Sequence, residues 1–128
     1  MFWPLMKEII TKEHKKVLTD FITNNSRLTN GPRVEEFEKQ WSEWLGVKHS
    51  LMVSSGSTAN FLLLAAIKEL YKIPDGAKVL VPSMTWVTNI SPVFQLNMEP
   101  IFCDVDYKTF SFCEDHLRKI KEKHPAIG

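Results

Sequence analysis

Residues 53–60, with the sequence VSSGSTAN, decide the fold that we predict for this chain. Small hydroxyl-bearing residues flank Gly56, and a run of apolar, helix-forming residues begins soon after them. This order is typical of a strand that turns directly into a helix. The backbone N–H groups at such a helix N-terminus, together with the positive end of the helix dipole, bind anions well. We therefore interpret Gly56, Ser57 and Thr58 as candidate ligands of a phosphate group.

A plainer interpretation of the same turn is an ordinary helix cap, because Ser and Thr cap helices in many proteins. The sequence excludes three other known phosphate-binding or catalytic turns. No Gly-Lys-Ser/Thr follows residues 53–60, so the turn is not a Walker A loop. Gly-x-Ser-x-Gly and Gly-x-Gly-x-x-Gly are both absent from the chain, which excludes a nucleophile elbow and argues against a dinucleotide-binding fold.

Hydrophobic periodicity and turn residues predict helices and strands on both sides of this turn. Two helices come first, the second of them ended by Gly46, and three strand–helix pairs follow. Short apolar strands that alternate with helices indicate an α/β fold, in which helices cover both faces of a parallel-rich sheet. The predicted helices span residues 12–23, 32–45, 57–70, 88–96 and 114–123, and the predicted strands span residues 50–53, 78–82 and 101–105.

The helix predicted for residues 57–70 is apolar on every side, which is typical of a helix that is buried on every side. A chain of 128 residues offers little to cover it, so we expect a further domain or a second subunit to cover part of it. Trp41 and Trp44 lie at helical spacing, and we expect them to belong to the core. The four histidines form no cluster and are interpreted as surface residues.

Trp86 follows the strand predicted for residues 78–82, at the same edge of the sheet as the turn around Gly56. Ligands of open α/β sheets bind beyond the carboxyl ends of the strands, so both features lie where a ligand is expected. An exposed Trp can stack on a flat ring, although a Trp considered alone is more often buried. Together the two features favour a phosphorylated aromatic cofactor. We interpret Asp104 and Asp106, which end the third strand, as turn caps.

Composition excludes several classes of function. A net charge of +1 provides no basic surface for nucleic acid. No run of about 18 apolar residues is present, so no membrane span is predicted. The N-terminus lacks the features of a signal peptide. Cys103 and Cys113 have neither metal-ligand spacing nor disulfide partners, so we predict no metal site and a reducing, cytoplasmic location.

The ordered set of motifs in this chain resembles the DegT/DnrJ/EryC1/StrS family of nucleotide-sugar aminotransferases, which depend on pyridoxal 5'-phosphate (PLP). The resemblance implies the N-terminal part of the large domain of a fold type I PLP-dependent transferase. It also implies a homodimer that transfers an amino group from an amino-acid donor to a nucleotide-linked keto sugar, for polysaccharide or secondary-metabolite biosynthesis. The segments that carry the resemblance are residues 27–38 (RLTNGPRVEEFE), 44–49 (WLGVKH), 53–60, 81–88 (VPSMTWVT) and 100–106 (PIFCDVD).

The resemblance also implies roles for individual residues. In the family, the position of Trp86 stacks on the pyridine ring of PLP, and the positions of Gly56, Ser57 and Thr58 hold its phosphate. We expect the same four residues to bind the cofactor in this chain.

The loop that contains Thr29 and Gly31 approaches the substrate in the family, and we expect the same here. The expected division is therefore residues 1–30, with the N-terminal helix and this active-site turn, and residues 31–128, the first part of the PLP-binding large domain.

No catalytic residue of the family can be matched in this chain. The lysine that forms an aldimine with PLP, and the aspartate that pairs with the pyridine nitrogen, lie downstream in the family. We therefore expect the 128-residue chain to be an N-terminal fragment that is inactive alone. Borohydride reduction with PLP, which should fix no cofactor onto the chain, checks this expectation.

Three alternatives remain open. Residues 57–60 (STAN) are similar to the form found partly in the sugar 3-dehydratase branch of the family, which uses PLP or its amino form PMP to remove a sugar hydroxyl. Residues 85–88 look more like the aminotransferase branch, which we favour. The second alternative is a non-catalytic paralogue that binds a partner subunit through the helix at residues 57–70. The third is a different α/β protein that holds a substrate phosphate.

Overall fold

The computed structural model describes residues 9–25 and 27–125 of the chain. These residues form two compact units, one ending at Met52 and the other beginning at Val53, and each is described by itself. Within the described ranges, no helix combines the length and the apolar character that crossing a membrane requires.

The first unit contains helices α1 (Lys12–Asn24) and α2 (Pro32–Leu45). Thr11 caps α1, since its hydroxyl accepts a hydrogen bond from the backbone N–H of His14 at 3.3 Å. Pro32 begins α2, and Gly46 ends it in the left-handed conformation with φ 70°. The bounds predicted for both helices are thus confirmed to within one residue.

The aromatic face of α2 is not a buried core within this unit. Phe37 stacks on Trp41 with ring centroids 5.8 Å apart, and Trp41 contacts Trp44 at 4.9 Å. Trp41 is 44% exposed and Trp44 is 73% exposed, so the prediction that they are core residues is wrong for the described chain. Their spacing does place them on one helix face, but no other element among the described residues of this unit covers that face.

The second unit has the order helix, strand, helix, strand, helix. Strands β1 (Lys78–Pro82) and β2 (Glu99–Cys103) pair in parallel with Val81 opposite Phe102, and the connection between them runs through a helix. This βαβ arrangement confirms the predicted α/β class with parallel strands. The elements are α3 (Gly56–Leu70), β1 (Lys78–Pro82), α4 (Val87–Gln95), β2 (Glu99–Cys103) and α5 (Glu114–Lys123).

Two of the strand predictions need correction. Residues 50–53 are not a strand, because a strand needs a neighbour for its ladder of hydrogen bonds and the described residues provide none. The backbone N–H of Met52 instead donates to the Glu38 carboxylate at 2.6 Å. The third predicted strand lies two residues earlier than expected, at β2, and Val105 makes a single antiparallel bridge with Phe112.

The core of the second unit is small. Val81 of β1, Val93 of α4 and Met98 are 4%, 1% and 5% exposed and pack together. Helix α3 contributes no fully buried residue, and Leu63 on it is 64% exposed. The described residues therefore cover α3 only in part, and the cover expected from a further domain or a second subunit stays a prediction.

Lys68, in the C-terminal half of α3, bonds to residues outside that helix. The Lys68 ammonium donates to the Asp75 carboxylate and to the backbone carbonyl of Leu96 at 2.6 Å. The hydrogen bond from Lys68 holds the pKa of Asp75 below its usual value, and the positive charge of Lys68 adds to this effect. Lys68 thereby ties α3 to the end of α4.

We expect Val93→Ala to lower the free energy of unfolding by about 2 kcal/mol, because it deletes two buried methyl groups and leaves a cavity. Val87→Ala on the same helix is the matched control, since Val87 is 66% exposed and Val93 is 1% exposed. Urea denaturation followed by circular dichroism measures both variants. Equal losses for the two would contradict the assignment of Val93 to the core.

Candidate functional site

The turn before α3 has two backbone N–H groups with no hydrogen-bond partner among the residues that the structure describes. Ser55 is the N-cap, and its hydroxyl accepts a hydrogen bond from the backbone N–H of Thr58 at 3.2 Å. The first intrahelical bond runs from the N–H of Ala59 to the carbonyl of Ser55 at 3.0 Å. The N–H groups of Gly56 and Ser57 precede that bond and point out of the helix end. The turn therefore presents two donors at the positive end of a helix dipole.

Hydroxyl groups surround these donors. The Thr58 hydroxyl lies 3.1 Å from the Ser54 hydroxyl and 3.0 Å from the Ser55 hydroxyl. The Ser57 hydroxyl has no partner among residues 9–25 and 27–125. Of the three predicted phosphate ligands, Gly56 and Ser57 thus have free donors, whereas the N–H of Thr58 is engaged by the cap.

The space and charge around Gly56 fit a phosphate dianion. A Cβ atom added to Gly56 would meet nothing within 4 Å, so the glycine leaves its side of the turn open. The first turn of α3 carries no acidic residue that would repel an anion. The free N–H groups and hydroxyls are the donors that a phosphate requires. We call residues 54–58 the phosphate cradle.

A groove between α3 and α4 adjoins the cradle. It has a volume of about 400 Å³ and is lined mainly by hydroxyl-bearing and apolar side chains. Residues at the start of α3 and residues of α4 thus form the two sides of this groove. Its lining residues are Ser57, Thr58, Phe61, Thr88, Ser91, Pro92 and Gln95.

Trp86 lies at the N-cap position of α4, in the loop that follows β1. The indole is 80% exposed, so the prediction that it lies in an accessible loop beyond the strand is met, and the alternative of a Trp buried at the sheet edge is excluded for the described residues. An indole that is free of packing can offer a flat surface to an aromatic ring.

Two asparagines join the cradle helix to the Trp86 loop. The Asn60 side-chain N–H donates to Asn89 Oδ1 at 2.9 Å and to the Thr88 carbonyl at 3.3 Å. Asn89 Nδ2 donates in turn to the Thr85 hydroxyl at 2.7 Å. Sequence reasoning included Asn60 in the motif of residues 53–60 without a role of its own and missed Asn89, although Asn is a poor helix former and its presence inside two helices is a usable signal.

Asp106 is a turn cap, as predicted. Its Oδ1 accepts from the backbone N–H groups of Thr109 and Lys108 at 2.9 and 2.8 Å. These two hydrogen bonds, that of Thr109 first, lower the pKa of Asp106.

Asp104 does not cap that turn. Its Oδ2 lies 3.0 Å from His116 Nδ1, and its own backbone N–H donates to the same ring nitrogen at 3.1 Å. The prediction that all histidines are surface residues is therefore incomplete, since His116 is half-buried against Asp104.

Thr29 and Gly31 lie in the first unit, whereas the cradle and Trp86 lie in the second. The Thr29 hydroxyl is 3.4 Å from Arg27 Nε, and the buried Gly31 is the N-cap of α2. Both residues line a groove of about 620 Å³ with the apolar side chains of Phe21 and Phe37. The groove belongs to the first unit, and the expectation that the loop of Thr29 and Gly31 approaches the substrate stays a prediction.

The described residues contain no arrangement of His, Cys, Asp or Glu side chains that could hold a metal ion. Cys103 and Cys113 are both free thiols.

Comparison with known proteins identifies related sequences. The sequence pattern of the DegT/DnrJ/EryC1/StrS aminotransferase family matches residues 8–127. A GDP-4-keto-6-deoxy-D-mannose 3-dehydratase from Yersinia pseudotuberculosis is 39% identical over 109 residues, which are 83% of this chain and 28% of that protein. A GDP-perosamine synthase from Vibrio cholerae is 29% identical over 125 residues, which are 97% of this chain and 33% of that protein. The chain therefore spans about a third or less of the relatives that it matches.

Solved structures share the fold. An E. coli GDP-4-keto-6-deoxy-D-mannose-3-dehydratase with bound hydrated PLP has a TM-score of 0.78 at 29% identity, covering 92% of this chain and 31% of that chain. A mutant GDP-4-keto-6-deoxymannose-3-dehydratase with bound GDP-perosamine has a TM-score of 0.79 at 28% identity, with coverages of 93% and 31%. The expected partial PLP-dependent transferase fold is confirmed by these matches. Since the family pattern covers nearly the whole sequence and the fold agrees with it, the chain belongs to the DegT/DnrJ/EryC1/StrS aminotransferase family.

Proposed function

We propose that this chain provides the cofactor-binding part of a PLP-dependent enzyme that acts on nucleotide-linked keto sugars. The observation that carries the proposal is the pair of free N–H groups of Gly56 and Ser57 at the start of α3, with open space beside Gly56. In this proposal the cradle holds the cofactor phosphate and the exposed Trp86 supports the pyridine ring.

PLP supplies an electron sink, and the protein's task is to bind and orient it. The residues of this chain suit that task better than covalent attachment. Lys68 is held by Asp75 and the Leu96 carbonyl, and Lys72 is paired with Glu69. Lys78 Nζ lies 3.0 Å from a ring nitrogen of His124. We infer that these lysines stabilise the fold, and that the groups which complete the chemistry belong to sequence beyond this stretch.

For the whole enzyme we propose the transfer of an amino group from an amino-acid donor to a nucleotide-linked keto sugar. The resemblance of residues 85–88 to the aminotransferase branch and the 29% identity to a GDP-perosamine synthase support this reaction. We also propose that the enzyme is a cytoplasmic homodimer. The free thiols support a reducing compartment, and the exposed apolar surface of α3 supports cover by further protein.

A second candidate reaction is the removal of the sugar 3-hydroxyl. The 39% identity to a GDP-4-keto-6-deoxy-D-mannose 3-dehydratase supports this second reaction. Incubating the whole enzyme with a nucleotide-linked 4-keto sugar and glutamate separates the two. A sugar that gains an amino group and keeps its 3-hydroxyl supports amino transfer, whereas loss of the 3-hydroxyl supports the dehydratase.

Titrating the ¹⁵N-labelled chain with PLP tests the binding proposal directly. We expect the amide resonances of Gly56 and Ser57 to shift with saturation, because their N–H groups bind the phosphate. Pyridoxal, which lacks the phosphate, is the matched ligand control and should leave these two resonances unmoved. The proposal fails if PLP leaves them unmoved, or if pyridoxal shifts them equally.

A further inference from the structure

We propose that Asn60 and Asn89 are positioning residues, which hold the Trp86 segment in place relative to the phosphate cradle. The inference rests on the proposed function, because it assigns these side chains to the binding of a ligand with a phosphate and an aromatic ring. Neither asparagine touches the ligand in this proposal. Asn60 acts through the Thr88 carbonyl and the Asn89 side chain, which follow Trp86, and Asn89 acts through the Thr85 hydroxyl, which precedes it.

Asn60 lies one helical turn beyond Gly56, so both residues are on the same face of α3. Its amide nitrogen has two hydrogens, which are matched by two acceptors on α4, Asn89 Oδ1 and the Thr88 carbonyl. The side chain therefore crosses from the helix that carries the cradle to the helix that begins at the Trp86 loop.

The Thr88 carbonyl needs this bond. In an α-helix it would accept the N–H of the residue four positions later, but that residue is Pro92, which has no N–H. Asn60 Nδ2 supplies the missing donor from α3 at 3.3 Å. Asn60 of α3 thus stabilises the start of α4, where Pro92 removes a hydrogen bond of the helix.

Asn89 bonds to Thr85, which precedes Trp86, and to Trp86 itself. Its side-chain N–H donates to the hydroxyl of Thr85, and its backbone N–H donates to the carbonyl of Trp86 at 3.0 Å. The N-terminus of α4 has no side-chain cap of its own. Because Trp86 is 80% exposed, packing does little to hold it, and these hydrogen bonds set its position.

A fixed position of Trp86 relative to the cradle matters for a ligand that binds to both. When the phosphate site and the ring platform are held at the right separation beforehand, binding does not have to restrict the loop. Loss of the network should therefore weaken a ligand that uses both points and spare a ligand that uses the cradle alone. PLP is the first kind of ligand, and inorganic phosphate is the second.

Fluorine NMR of the chain labelled with 5-fluorotryptophan tests the proposal. The chain has four tryptophans, and Trp86→Phe identifies the resonance of Trp86. We expect Asn60→Ala and Asn89→Ala to shift and narrow that resonance while the others stay in place. Both variants should raise the Kd for PLP about three- to tenfold and leave the Kd for inorganic phosphate unchanged, as expected for the loss of one or two hydrogen bonds.

Two further variants separate positioning from general structure. Asn89→Asp should keep the Trp86 resonance of the parent, because its carboxylate accepts from Asn60 and from the Thr85 hydroxyl, which can rotate to donate. Asn24→Ala is the matched control, since its amide bonds to the Asp20 carbonyl within α1.

An unmoved Trp86 resonance in both alanine variants overturns the proposal, as does an equal rise in the Kd values for PLP and phosphate. Collapse of the Trp41, Trp44 and Trp86 resonances to one random-coil position in Asn60→Ala means that this variant has unfolded, and Asn89→Ala, whose side chain is exposed, then decides. If the parent chain binds no PLP while the Trp86 resonance still responds to both variants, the proposed function fails and the positioning role stands.

Discussion

Replacing Ser57 with Asp is expected to weaken PLP binding about a hundredfold while the fold remains intact. Ser57 is the second residue of α3, and neither its backbone N–H nor its hydroxyl has a partner among the described residues. A carboxylate there repels a phosphate dianion within a few ångströms, and a penalty of about 2.7 kcal/mol corresponds to a hundredfold. Isothermal titration calorimetry with PLP measures the loss.

The same substitution should not harm the helix. An acidic residue in the first turn of a helix is favoured by the dipole by about 0.3–1 kcal/mol, and α3 has none there. Thermal unfolding should therefore show an unchanged or slightly raised Tm. Ser57→Asn is the neutral control and should bind PLP within about threefold of the parent, because the backbone N–H remains. Tight PLP binding by Ser57→Asp would contradict the assignment of the cradle as the binding site of the cofactor phosphate.

The contrast between α2 and residues 50–53 explains which parts of the fold could be predicted. The start and end of α2 depend on Pro32 and Gly46, whose effects on the backbone are local. A strand depends instead on a partner elsewhere in the chain, and residues 50–53 find none among the described residues. Their apolar character gave the right composition for a strand but no information about its neighbour.

The candidate site divides in the same way. The helix start at Gly56 could be predicted because Ser and Gly act on the backbone locally, and phosphate binding there stays a prediction. The bond between Asn60 and the Thr88 carbonyl joins residues 28 positions apart, and the need for it arises from Pro92 in α4, a different helix from that of Asn60. Only the packing of α3 against α4 brings these groups together, so no local sequence pattern predicts their contact.

Trp86→Ala is expected to raise the Kd for PLP about tenfold and to abolish the quenching of indole fluorescence by the cofactor. Stacking on an indole contributes about 1–3 kcal/mol to the binding of a planar ring, and tenfold corresponds to about 1.4 kcal/mol. Little stability should be lost, because the side chain is 80% exposed and packs weakly in the folded chain. Fluorescence titration with PLP gives both the affinity and the quenching.

Trp44→Ala is the matched control, since Trp44 is 73% exposed and lies in the first unit, on α2. It removes an indole of similar exposure but should leave the Kd for PLP unchanged. Trp86→Phe, which keeps a flat ring, should recover most of the affinity. Inorganic phosphate should bind Trp86→Ala as well as the parent, because phosphate engages the cradle alone. If quenching survives in Trp86→Ala and disappears in Trp44→Ala, the cofactor ring lies in the first unit and the assignment of Trp86 as its platform is wrong.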